Sequence, residues 1–215
     1  MKKYIFLLLP TLFLTACQIQ KPSSVADMEV LQMHKKVAIL PFDVDFSDQY
    51  LQVVYNRKRN REQSYEEFAW EQKRLEGLDL QADMYKALAK KIEKGKLSLP
   101  IMDFLQTNKL LAENNVPMNM IFTMNKQELA RILQVDAVIS GTSLIEVDRP
   151  NLNRMMLATP FGFGGVTTDV IITDRQSGKI AWKSQFSLRP SQMMDTPAFL
   201  ATSTVTTIAK RIPYK

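Results

Sequence analysis

Val37-Ala38-Ile39-Leu40-Pro41-Phe42 is an apolar run with a proline near its end, the pattern of a strand buried on both faces. It continues as Asp43-Val44-Asp45-Phe46, where polar and apolar residues alternate and one face turns to solvent. The polar stretch that follows carries Arg57-Lys58-Arg59 and Arg61, and reads as a solvated loop. From Ser64 to about Lys94 the apolar residues Phe68, Leu75, Leu78, Met84, Leu88 and Ile92 recur mostly at helical steps. Gly77 is a candidate break dividing this stretch into two helices, and Gly95 a C-terminal cap. Leu97 to Met102 predicts a second strand, irregular at Pro100. Asp103 can cap a helix through Glu113, with Phe104, Leu105, Leu110 and Leu111 available for its buried face.

Asn125 and Glu128 make a capping-box-like start for a short helix, Leu129 to Leu133, which feeds a strand from Val135 to Thr142. Thr167 to Asp174 and Lys179 to Leu188 predict a hairpin, with Gly178 supplying the positive φ of its turn. Side chains alternate along a strand, so Ile180, Trp182, Phe186 and Leu188 are expected on one buried face, with Ser184 between them. Thr196 and Pro197 start a last helix running to about Arg211. The order β-α-β-α-α-β-β-β-α predicts an α/β fold. It is a single three-layer-like domain over residues 36–215, a mixed sheet flanked by helices with a C-terminal hairpin plus helix.

The first 16 residues have a different character. Met1-Lys2-Lys3 is followed by an apolar run from Tyr4 to Leu14 and by Thr15-Ala16-Cys17, the layout of a secretory signal peptide. The run is shorter than the ~20 residues a membrane-crossing helix needs. Leu14-Thr15-Ala16-Cys17 resembles the lipobox of bacterial lipoproteins. That resemblance implies that Cys17 becomes the first mature residue and carries lipid on its sulfur and its amine. Gln18 stands where inner-membrane lipoproteins often carry Asp, so the resemblance favours a periplasm-facing place on the outer membrane. Residues 17–35 then read as a lipidated cysteine and a flexible tether, in which His34 is expected to have no partner.

Composition narrows the function classes. Of 215 residues, 46% are hydrophobic and 23% charged, which excludes a disordered or collagen-like chain. The net charge is +6, and falls to +4 once Lys2 and Lys3 leave with the signal peptide, too little for a nucleic-acid binder. One cysteine and one histidine allow no disulfide within the chain and supply a metal cluster or a histidine-based triad poorly. Asp43, Asp45 and Asp48 lack the glycine and the later glutamate of a calcium loop. Asp136 reads as the end of a helix–strand turn. Phe161-Gly162-Phe163-Gly164-Gly165 lacks the pattern of a phosphate loop. No metal or other cofactor is expected, and no catalytic residues are assigned. The candidate partner-binding element is the tip of the 148–165 connection, with Met155, Met156, Leu157, Phe161 and Phe163. The competing reading folds that connection back over the core.

Three stretches resemble one family in order and spacing. They are Val-Ala-Ile-Leu-Pro-Phe (37–42), Glu-Leu-Ala-Arg-Ile-Leu-Gln-Val-Asp-Ala-Val-Ile-Ser-Gly (128–141) and Thr-Asp-Arg-Gln-Ser-Gly-Lys-Ile-Ala-Trp (173–182). They resemble the periplasmic lipoproteins related to the curli-secretion lipoprotein. That group also holds the penicillin-binding-protein activator lipoproteins and the amino-terminal domain of the Tol-system translocation protein. Uncharacterised secreted lipoproteins of Bacteroidetes type are the closest in pattern. The resemblance implies a non-enzymatic module that binds a periplasmic or outer-membrane protein, or a second copy of itself. The alternatives are an envelope enzyme and a ring-forming channel subunit. A pore hairpin needs two crossing strands of ~9–11 residues, and residues 189–195 are too few to supply one.

Overall fold

The computed structural model describes residues 23–57, 63–146, 164–190 and 196–214. Its elements in chain order are β1 (Ser23–Ala26), α1 (Met28–Met33), β2 (Val37–Ile39), β3 (Asp43–Phe46), α2 (Asp48–Arg57), α3 (Tyr65–Glu93) and α4 (Phe104–Glu113). They continue with α5 (Met118–Thr123), α6 (Lys126–Ile132), β4 (Ala137–Ile145), β5 (Val166–Asp174), β6 (Ile180–Leu188) and α7 (Pro197–Arg211). The strands form one open mixed sheet in the order β1-β6-β5-β4-β2, with β3 also paired to β4. Strands β4, β5, β6 and β1 are successively antiparallel, whereas β2 and β3 both run parallel to β4.

The apolar run 37–42 and its alternating continuation become two strands on one partner. Ile39 pairs with Ile139 and Asp43 with Thr142, so residues 40–42 face only Ser140 and Gly141. The extra residue makes a bulge, and Phe42 is buried there. Gly77 of α3 lies directly on it. The Phe42 backbone N–H donates to the Gly77 carbonyl at 3.1 Å. A β-carbon at Gly77 would fall inside the van der Waals envelope of the Phe42 carbonyl oxygen. The expected break at Gly77 is therefore absent. α3 runs unbroken for 29 residues, and its glycine serves close approach instead. Ser64 and Glu67 form a reciprocal capping box at its start. At its end Gly95 has φ +63°, and Lys96 N–H reaches back to the Lys91 carbonyl, as a Schellman cap requires.

α3 and α7 cover one face of the sheet, packing on Ile39, Val170, Ile172 and Trp182. α4, α5 and α6 cover the other face only at its β2–β4 side, around Ala38, Leu40 and Val138. Three layers thus exist at one side of the domain. Among the described residues the second face of β5 is covered where α6 packs on it, near the buried Thr173. A line of hydroxyls crosses the covered face, from Ser143 to Thr168 (3.1 Å) and on to Thr204 of α7 (2.6 Å).

Several expectations are corrected. Ser23–Ala26 and Met28–Met33, read as tether, are elements of the fold: β1 forms an edge of the sheet on β6, and Asp27 caps α1. Leu97 to Met102 forms no strand. Its Ile101 makes a single bridge to Val37, and Pro100 cannot donate to a ladder. Leu105 is 65% exposed, and α4 buries Thr107 and Leu111. Helices α2 and α5 were not anticipated. Trp182 and Phe186 are core residues as expected, at 2% and 5% exposure. Ile180 is 55% exposed, because the pairing slips from Ile172–Trp182 to Thr173–Ile180. The extra residue, Ala181, reverses the alternation beyond it.

Gly77→Ala is expected to lower stability although it sits in a helix. The gain of about 1 kcal/mol in helix propensity is outweighed by overpacking against backbone, for a net loss of about 1–3 kcal/mol. Denaturant midpoints measure this; a midpoint at or above the parent's would show that α3 can move off Phe42.

Candidate functional site

Buried polar chemistry gathers at the end of the sheet that carries the β5–β6 turn. His34, just after α1, is 7% exposed. Its Nδ1 lies 2.7 Å from the Tyr214 hydroxyl and its Nε2 3.1 Å from Asp174 Oδ1. A neutral ring that donates from Nε2 to the carboxylate leaves Nδ1 to accept from Tyr214. The other oxygen of Asp174 accepts from the Ser177 backbone N–H at 2.5 Å and from its hydroxyl at 2.7 Å. Burial pushes the Asp174 carboxyl up, but the bonds from Ser177 and His34 outweigh it and hold the group below the usual carboxylate range. Burial, with Asp174 and Asp136 nearby, pushes the Tyr214 hydroxyl well up, so it stays protonated.

Asp136 stands beside this line. Its Oδ2 accepts from the backbone N–H groups of Lys35 and Lys36 at 2.9 and 3.0 Å, and its Oδ1 from Arg175 at 3.2 Å. A cavity of about 470 Å³ opens here between Met33, Arg131 and Arg175. Tyr214, His34 and Asp174 have the order of an acid–base relay, yet each polar atom is engaged in joining the N-terminal segment, the β5–β6 turn and the C-terminal residues. The arrangement is a clasp. His34 thus has two partners, contrary to expectation. They lie 140 and 180 residues away, so no local spacing could have signalled them.

A second polar patch lies on the second face of the sheet, around a cavity of about 370 Å³ beside α5 and α6. Asp169 of β5 accepts from Gln185 at 2.9 Å and has the Lys183 ammonium at 3.5 Å. Across the cavity, Lys126 donates to the carbonyls of Ile121, Phe122 and Met124, closing the C-terminal end of α5. Burial lowers the Lys126 ammonium and raises the nearby Asp43 carboxyl. Asp45 pairs with Lys73 at 2.6 Å. No group of three or more metal-binding side chains occurs among the described residues.

Cys17 and the loop residues Met155, Met156, Leu157, Phe161 and Phe163 lie outside the described residues, as do Lys58, Arg59 and Arg61. The frame of the loop is described. Ile145 pairs with Val166, and Glu146 N–H donates to the Gly165 carbonyl at 2.9 Å, so the long connection closes a hairpin between β4 and β5. β1 runs in from the same side. From Ala26 back to Ser23 the pairing moves from Trp182 to Gln185, toward Leu188 and away from the β5–β6 turn.

Residues 1–18 match the prokaryotic membrane lipoprotein lipid attachment site. The chain is a lipid-anchored lipoprotein of the bacterial envelope. Among solved structures it is similar to the PelC dodecamer from Paraburkholderia phytofirmans, at 12% identity and a TM-score of 0.47, covering 90% of this chain and 97% of that one. It is similar to lipoprotein GNA1162 from Neisseria meningitidis at 13% identity and a TM-score of 0.49, covering 82% and 96% of the two chains. It is similar to the C-terminal domain of LpoB from Salmonella enterica at 9% identity and a TM-score of 0.34, covering 73% and 83%. At these identities and scores no role passes from them to this chain. No curated protein matches it.

The clasp generates a pH prediction. A carboxyl held low contributes stability above its unfolded pKa, near 3.8, and that contribution is lost as pH falls through the lower folded value. Glu76 of α3 has the opposite sign: burial, with Asp79 and Asp83, pushes it up to about 6, so protonation below that pH favours the fold. Urea midpoints should rise modestly from pH 7 to about 5 and fall below about 4. Asp174→Asn should flatten the acid limb and leave the limb near pH 6 intact. An acid limb as steep as the parent's would mean that Asp174 is not linked to folding.

Proposed function

We propose that the protein is a non-catalytic binding or assembly module, held by lipid on Cys17 at the periplasmic face of the outer membrane, with a periplasmic or outer-membrane protein as its partner. The observation that carries this reading is the lipid attachment site joined almost directly to a folded domain. From Cys17 to Ser23 the chain can span at most ~20 Å at 3.3–3.6 Å per residue, so the domain stands close to the bilayer. Acyl chains contribute ~0.8 kcal/mol per buried methylene, enough for several together to hold it there. The engagement of His34, Asp174, Tyr214 and Asp136 in joining chain segments supports a binding role over a catalytic one.

The partner-facing element in this reading is the tip of the 148–165 connection, around Met155, Met156, Leu157, Phe161 and Phe163. Its apolar side chains and three nearby glycines suit close contact. The connection leaves β4 after Ile145 and enters β5 at Val166, at the end of the sheet away from the β5–β6 turn, toward which the β1 pairing runs from Ala26 back to Ser23.

Cys17→Ser should release the protein from lipid modification and leave an unprocessed precursor. Palmitate labelling and membrane fractionation check this; normal maturation and labelling of the variant would overturn anchoring through Cys17. Replacing residues 155–163 by a short polar turn should leave the thermal midpoint within about 2 °C, since a surface change costs less than ~0.5 kcal/mol. Partner capture from crosslinked membranes should be lost. Unfolding would show that the loop covers the core, and unchanged capture would place the interface elsewhere.

A further inference from the structure

α3 and α7 pack side by side, and their C-terminal ends meet beside the clasp. There the Lys91 ammonium donates to the carbonyls of Lys210 and Ile212, at 3.4 and 3.2 Å. A groove of about 650 Å³ follows this junction, lined by Lys86, Lys90, Lys91, Lys94, Lys96 and Lys210. The fold accounts for part of this charge. Each helix C-terminus carries roughly half a negative charge, and Lys91 caps one of them. Asp83, the one acid of the lining, holds Lys86 at 3.2 Å and also accepts from Thr202 at 2.7 Å. Among the described residues, Lys90, Lys94, Lys96 and Lys210 have no side-chain hydrogen bond or ion pair.

The spacing is also specific. Lys86 and Lys90 stand four residues apart on one face of α3, a rise of ~6 Å, and Lys94, its C-cap, continues the four-residue interval just past the helix end. Like charges at that interval repel and weaken a helix. Their long stems give the groove apolar walls below a charged rim. The groove lies at the β5–β6 turn end of the domain, whereas β1 starts, at Ser23, on the side of Trp182 away from that turn. α3 alone is ~43 Å long at 1.5 Å per residue, twice the reach of the chain from Cys17.

We propose that this groove docks an acidic segment of a protein partner, with carboxylates on Lys86, Lys90 and Lys94. Carboxylates at i and i+4 of a helix, or on alternate residues of an extended strand at ~6.6 Å, repeat at nearly the pitch of the lysine row. The groove's concave shape and its distance from the anchor favour a protein segment over the flat lipid surface in which Cys17 would sit. The proposal rests on the reading of the chain as a binding module, but it does not involve residues 155–163.

The test uses the full lipidated chain in a neutral detergent and a fluorescent 12-residue peptide of alternating Glu and Ala. A Gln–Ala peptide serves as control. The Glu peptide should bind, weaken steeply as salt shortens the screening length, and outcompete the Gln peptide. Lys86→Gln, Lys90→Gln and Lys94→Gln together should weaken it roughly tenfold, since an exposed ion pair changes affinity by up to about fivefold. The thermal midpoint should stay unchanged or rise. Thr206→Glu, which brings a carboxylate into the groove from α7, should weaken binding independently of any change in α3. Lys109→Gln on α4 and the 155–163 replacement should leave it unaltered. Equal binding by the triple variant, no preference for Glu over Gln, or displacement of the peptide by phosphatidylglycerol in the micelle would overturn the proposal. The first two would show that the lysine row is not a docking site, and the third that it recognises a lipid surface. A loop replacement that loses partner capture but keeps peptide binding would separate the two surfaces.

Discussion

The fold depends on how closely α3 approaches the bulge between β2 and β3. Phe42 occupies that bulge. Gly77 of α3 removes the β-carbon that would meet its carbonyl, and Gly141 of β4 removes the one that would meet its ring. Phe42 is thereby enclosed between a helix and a strand, its carbonyl against one glycine and its ring against the other. The hydrogen bond from Phe42 to the Gly77 carbonyl then fixes the long helix along its length as well as its height. Because α3 packs on α7, which covers β5 and β6, the position of nearly every layer on that face follows from this contact.

The clasp at the other end has a different task. β1 adds only four residues to the sheet, too few to be held firmly by ladder bonds alone. His34, Asp174 and Tyr214 draw the segment after β1, the β5–β6 turn and the last described residues of the chain onto one another. The imidazole does this with both nitrogens engaged, which explains why a lone histidine can be buried without a metal or a substrate.

Much of the fold was legible because it is written in local periodicity. The first strand, the stretch that forms α3, the β5–β6 hairpin with Gly178 and the Thr196 cap each follow from spacing within a few residues. What was not legible depends on geometry beyond that range. A glycine within a helical pattern looks the same whether it breaks the helix or admits a neighbour, so Gly77 could not be assigned. A single bulge at Ala181 moved Ile180 to the other face while leaving Trp182 and Phe186 where alternation put them. Residues 23–35 have too little pattern to reveal that they pair with β6. The candidate binding residues belong to a loop outside the described residues, and lysines four residues apart carry no local sign that they share a groove with α7.

The route by which the chain enters the domain also has a mechanical side. β1 is antiparallel to β6, and from Ala26 back to Ser23 its pairing advances from Trp182 to Gln185, away from the β5–β6 turn. A pull from the membrane against a partner held at the far end of α3 would load the four β1–β6 register pairs in parallel, as shear. It would not peel them apart one at a time. Beyond them stand the Asp27 N–H on the Ala181 carbonyl at 2.8 Å and then the imidazole of His34, so the force meets successive catches before it reaches the core. An edge strand of four residues, weak as an element of stability, is placed where it resists tension best.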